Sequence, residues 1–388
     1  MKPGKPWLLG LTVRVCLVAG GGAALTAQAP AKPAGDGLLR SELSLGGRTA
    51  TIAYAPGQKM SPSPASGKAR DRIAQLEITG SLRIGTIELT ASAPATTPSG
   101  SAAVPGQPPP VTRYTLWLES SPNEWVLFVN DASDASVGNL SLDRQAARSA
   151  PPSFAAALTA ESFTSARLVL RWAGFEASAP VEFVDPLLRR LTETPTPNQT
   201  INRRHDDDTS ALSRARLLQL RNETALVSPK GARVSISFQR SFTASPPRSP
   251  RSRGLTVDRI DFSRLASTPA GAIVMLAESP VPRLRTEVPL RFGKTAIATG
   301  NQVIGFPGSY GLWLKRVSSG WRLVFNHEPD AWGSQHDAQQ DAAEIDLVHT
   351  EGHAASRPFA VNLIPEAPDR GRLVILWGPH EWSADFNY

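Results

Sequence analysis

The chain of 388 residues holds a single cysteine, Cys16. It lies inside an N-terminal segment with the features of a removable signal, so the processed chain has no thiol and can form no disulfide. Export without disulfides fits a bacterial periplasm or exterior better than a small eukaryotic secreted scaffold. Catalytic signatures are missing too. No Gly-x-Ser-x-Gly, P-loop, dinucleotide fingerprint or HExxH spacing occurs, so no catalytic residue, metal ligand set or cofactor is assigned. Only short stretches have helical periodicity.

A strong charge of one sign is also absent. The formal excess is +7, and removing Lys2, Lys5 and Arg14 with the signal lowers it to +4. The main basic cluster, Arg248, Arg251 and Arg253, sits among Pro and Ser without interleaved aromatics. Nucleic acid is therefore excluded as a partner.

The signal occupies residues 1–29. Lys2 and Lys5 supply its positive end, residues 7–24 its apolar segment and Ala27-Gln28-Ala29 its cleavage site. Arg14 interrupts the apolar run, which argues against an anchor, and no transmembrane segment is expected after processing. Val13-Arg14-Val15 before Cys16 makes a poor lipidation site. The expected location is periplasmic or secreted.

What the chain does have is a repeat. Residues 114–130 read YTLWLESSPNEWVLFVN and residues 310–326 read YGLWLKRVSSGWRLVFN. Without a gap they share Tyr114/Tyr310, Trp117/Trp313, Trp125/Trp321 and Asn130/Asn326, among others. Strict alternation in each predicts a β-hairpin, with turns over residues 119–124 and 315–320. Further collinear matches flank it. Gly47 corresponds to Gly231, Asp71 to Asp258, and the run from Arg167 to Trp172 returns from Arg372 to Trp377. The offset grows along the chain from 184 to 205 residues, as small insertions after a tandem duplication would leave it.

With 34 Pro, 30 Gly and 41% hydrophobic residues, these features predict a mostly β protein. The expected layout is two tandem β-sandwich or jelly-roll-like domains, residues 43–183 and 226–388. A flexible lead-in, 30–42, precedes the first. A linker, 184–225, joins them and contains a short helix through Ala211, Leu212, Ala215, Leu218 and Arg221. Residues 93–113 form an insertion unique to the first copy.

The run Pro307-Gly308-Ser309-Tyr310, then Trp321 to Asn326, Trp332-Gly333, Asp341 and Leu373 to Trp377 resembles the bacterial family known as domain of unknown function 2911. The resemblance covers residues 226–388, with the first half a degenerate copy. It implies an exported bacterial β-rich protein and supplies no activity. The chain departs from the family ahead of the hairpin, where Arg285-Thr286-Glu287-Val288-Pro289 replaces the usual Trp-Arg-Thr-Gly-Ala-Asn.

Candidate ligand-binding residues are Trp332, His336, Asp337, Asp341 and Trp382. The first four share the loop after the second hairpin, whose first-half counterpart keeps acidic residues but no His and no Trp. Trp332 and Trp382 have no Trp counterpart and are the candidates for stacking on sugars, whereas the matched Trp residues suit a core. His349 and His353 are four apart across a turn-like Thr350-Glu351-Gly352, which gives no helical metal pair. The leading expectation is a non-catalytic binding or interaction protein whose partner is a glycan or another envelope protein. Alternatives are a hydrolase or metal-dependent enzyme using His336, Asp337 and Asp341, and a structural envelope protein.

Overall fold

Alternation along the chain writes a strand wherever it is sustained. In β1 (Leu39–Leu45), Leu39, Leu43 and Leu45 point inward while Arg40, Glu42 and Ser44 stay partly exposed. The first half continues with β2 (Arg48–Tyr54), β3 (Ala69–Ile78), β4 (Ser81–Ile84), β5 (Ile87–Leu89) and β6 (Thr112–Ser120). It ends with β7 (Trp125–Asn130), β8 (Ser136–Ala146), β9 (Ala155–Ala160), β10 (Ser165–Trp172) and β11 (Phe175–Val184). The second half holds β12 (Asn222–Val227), β13 (Arg233–Phe238), β14 (Ile273–Met275), β15 (Arg283–Thr286), β16 (Leu290–Phe292) and β17 (Thr295–Ile297). It closes with β18 (Ser309–Val317), β19 (Gly320–Asn326), β20 (Asp341–Glu351), β21 (Ala360–Ala367), β22 (Arg370–Trp377) and β23 (His380–Asn387).

This computed structural model describes residues 35–60, 69–91, 111–121, 124–147, 153–161, 164–184, 222–238, 265–276, 281–299, 309–327, 336–352, 357 and 359–388. The signal segment, the 211–221 helix, most of the 93–113 insertion, the 248–253 basic cluster, Trp332 and His353 lie outside them. The described chain is almost all antiparallel β, as the sequence predicts.

One layer runs in the order β8, β7, β6, β3, β2, β1, β12, β13, β15, β18, β19, β20. Behind it, β9, β10 and β11 serve the first half and β21, β22 and β23 the second. β8 and β20 turn the corner between layers. β20 pairs with β19 as far as Leu347 and then with β23 from Val348 to Glu351.

The sequence leads to an expectation of two cores joined by a linker, and the packing is different. β1 pairs with β12, setting Arg40 opposite Val227 and Leu43 opposite Thr224. Under the repeat's offset of 184, Arg40 corresponds to Thr224 and Leu43 to Val227, so the register maps onto itself as a two-fold contact would. One hydrophobic cluster then runs through both halves, and Ala34–Tyr388 forms one compact unit. β1 begins at Leu39, inside the expected lead-in, and β12 at Asn222, inside the expected linker. An edge strand gains a partner and a buried face by pairing, which is why these stretches are not left as linkers.

Local details recur in the two halves. The Tyr114 hydroxyl donates to the Thr90 carbonyl at 2.9 Å, and Tyr310 donates to Ala298 at the same distance. Bulges fall at Val129/Asn130 and Phe325/Asn326. Tyr54 meets Phe154 edge-on at 5.5 Å, and Phe238 meets Phe359 edge-on at 6.0 Å. The second hairpin is tighter than expected, because its strands extend to Val317 and Gly320 and leave only Ser318 and Ser319 as the turn. Gly320 sits at φ 149°, a conformation that side chains rarely adopt.

A charged contact also ties the halves together. Arg171 donates to the buried carboxylate of Glu366 at 2.7 Å and to Glu176 at 2.9 Å. Glu366→Gln is expected to lower stability by about 1.5–3 kcal/mol, the usual contribution of hydrogen bonds to a charged group, with no change in fold. Urea unfolding of the variant measures this. A loss below about 0.5 kcal/mol would show that Arg171 is satisfied by Glu176 alone.

Candidate functional site

The described residues at the two ends of the loop singled out in the sequence are joined by polar groups. Asn326, at the bulge of β19, donates to the Asp337 carbonyl at 2.7 Å and to the Asp341 carboxylate at 2.9 Å. His336 Nε2 lies 2.8 Å from the same Asp341 oxygen. The Asp337 carboxylate accepts from the Gln339 N–H at 2.9 Å, capping a 3-10 turn over Ala338–Gln340. In the first half Asn130 does the same work with Asp134, through the Asp134 carbonyl and carboxylate. The structure thus unites His336 with Asp341 and turns Asp337 toward its own backbone.

Trp382 is placed differently from the sequence expectation. It is fully buried, with its ring stacked on His349 at 5.2 Å and on His380 at 5.3 Å. The alternation of β23 sends Trp382 inward together with Phe386, and two imidazoles cover it. It offers no open face to a sugar, so its assignment as a stacking platform is corrected.

Those imidazoles form a cluster that the sequence reading missed. Alternation along β20 puts Ile345, Leu347, His349 and Glu351 on one face. The register sets His349 opposite Trp382 and Glu351 opposite His380, so the four side chains converge where the strands end. His349 Nε2 is 3.1 Å from His380 Nδ1. The Glu351 Oε1 atom is 3.3 Å from His380 Nδ1 and 3.9 Å from His349 Nε2. The readable signals were His349-x-Glu351 and His380-x-Trp382, two pairs at strand rather than helix spacing.

Exposure is graded across the cluster. The side chain of His380 is 7% exposed, that of His349 22% and that of Glu351 62%. Burial holds both histidines below the usual imidazole range. The neighbouring His380 and Arg316 push His349 the same way, whereas the Glu351 carboxylate pulls each histidine upward. Burial thus favours the uncharged rings, and two nitrogens and one oxygen within 4.8 Å of each other could hold a metal ion.

The first half answers this cluster with different chemistry. By the pairing of β8 with β11, His349, Glu351, His380 and Trp382 correspond to Arg144, Ala146, Phe175 and Ala177. There the Arg144 guanidinium lies 4.3 Å over the Phe175 ring. No family model, curated protein or solved structure matches the chain.

Proposed function

We propose that the chain is an exported, non-catalytic binding protein in which the first half serves as scaffold and the second half carries the ligand at His349, Glu351 and His380. One observation supports this above the rest: three donor side chains converge at His349, Glu351 and His380, whereas the matching first-half residues Arg144, Ala146 and Phe175 offer no lone-pair donor. Export rests on the signal-like residues 1–29, with the periplasm or exterior as destination. No helix among the described residues is long and apolar enough to cross a membrane. The reading with His336, Asp337 and Asp341 as an enzyme centre has less support, because the Asp337 and Asp341 carboxylates are already engaged by the Gln339 N–H and the Asn326 amide.

The test exploits the correspondence of the halves. A variant carrying His349→Arg, Glu351→Ala and His380→Phe places first-half residues at second-half positions and should fold. Thermal-shift screening of the protein and this variant against soluble cell-wall and plant polysaccharides, small anions and metal salts should give a stabilising ligand for the protein alone. A ligand that stabilises both equally would put the binding site elsewhere.

A further inference from the structure

We propose that His349 Nε2, His380 Nδ1 and Glu351 Oε1 are three ligands of a divalent transition metal, with a fourth position open to solvent. The inference rests on the reading that the second half carries the binding site, and it names the class of ligand.

Geometry supports it first. Four donors placed tetrahedrally at about 2.0–2.1 Å from an ion stand about 3.3 Å from one another. The three separations here are 3.1, 3.3 and 3.9 Å, close to that spacing, and because the two imidazoles stack at an interplanar angle of 29° the rings would turn, with the exposed Glu351, to aim all three donors at one ion. Rigidity comes next. His380 is buried, and Trp382 stacks beneath both imidazoles at interplanar angles of 19° and 30°, which supports the rings from behind. Access is provided by Glu351 and His349, which lie on the exposed side.

Donor type selects the ion. Two imidazoles and one carboxylate suit Zn²⁺, Co²⁺, Ni²⁺ or Cu²⁺, whereas Ca²⁺ and Mg²⁺ prefer sites built from oxygen. The first half supplies an independent argument. At the corresponding place it carries a cation of its own, the Arg144 guanidinium over Phe175. Where one half has a permanent positive charge, the other has three groups that would bind one.

The competing account is a closed pair, in which one imidazole N–H bonds the other nitrogen at 3.1 Å and no ion enters. The two accounts separate on titration. The full chain, stripped with chelator, is titrated with Co²⁺ while visible absorption is followed, and with Zn²⁺, Ca²⁺ and Mg²⁺ by calorimetry. We expect one Zn²⁺ per chain, a visible Co²⁺ spectrum of low coordination number, and no comparable uptake of Ca²⁺ or Mg²⁺. The triple variant should weaken Zn²⁺ binding by more than about 100-fold, beyond what loss of an outer-shell contact produces. Glu351→Gln, at an exposed position that should not disturb folding, should weaken it by at least about 10-fold.

Absence of Zn²⁺ uptake by the protein, or uptake that survives Glu351→Gln and the triple variant unchanged, overturns the metal site. If Zn²⁺ is not taken up but a glycan or anion shift is lost in the triple variant, the metal inference fails and the binding-protein reading stands. If every ligand found stabilises protein and variant alike, that reading fails as well.

Discussion

Trp321→Ala is expected to lower stability by about 3–5 kcal/mol, the range for removing a buried aromatic side chain. Trp321 is only 4% exposed and lies edge-on to Trp382 at 5.8 Å and to His349 at 6.2 Å. Arg316 covers its ring at 5.0 Å. Truncation therefore removes apolar burial and also the wall that supports Trp382, which in turn backs both histidines. Since whole domains are stable by about 5–15 kcal/mol, the variant should be largely or partly unfolded at modest urea concentrations. Equilibrium urea unfolding of both proteins measures the difference. A loss under about 1 kcal/mol would remove Trp321 from the core, and the matched tryptophans would have to be reconsidered as a surface.

A proline in β1 should do comparable damage for a different reason. Ser41 pairs with Ile52 of β2 on one side and Leu226 of β12 on the other, and its buried hydroxyl accepts from the Leu158 N–H at 3.2 Å. Ser41→Pro deletes a ladder donor and that hydroxyl, leaving two buried groups without partners. At about 1–3 kcal/mol each the loss is about 2–6 kcal/mol. Because β1 belongs to the ladder of both halves, they should melt together in a single calorimetric transition, in the variant as in the parent protein. Two resolved transitions would mean that each half has an independent core.

The β class and the hairpins were legible because period-two alternation is local, and a run such as Leu39, Leu43 and Leu45 declares its buried face without reference to the remainder of the chain. Of the matched Tyr and Trp positions, Trp117 and Trp172 are only half-buried and Trp313 packs in a separate cluster with Val281 and Val324, so the expected core role holds for part of the set. Trp125 and Trp321 are buried, and Tyr114 and Tyr310 repeat one hydrogen bond. The joining of the halves was not legible, since nothing in β1 or β12 states which edge it will meet. The candidate site divides similarly. His336 and Asp341 are near neighbours in sequence, and their contact could be foreseen. His349 and His380 are 31 residues apart and meet only through the register of two strands, which no local pattern states. Having no Trp counterpart singles out Trp382 as a stacking candidate, whereas the alternation of β23 turns it inward with Phe386.

The β1–β12 contact has an effect on what substitutions the molecule can accept. In a dimer of identical chains each change occurs twice and must suit both sides of a symmetric contact at once. Carrying both sides in one polypeptide removes that requirement, so a residue can be fitted to a single environment. Arg171 and its counterpart Leu376 illustrate the freedom: the first reaches across to Glu366, while the second is buried in the core. The same freedom lets four positions be an arginine-capped aromatic corner on one side and a cluster of histidines and a carboxylate on the other, within a single uninterrupted sheet.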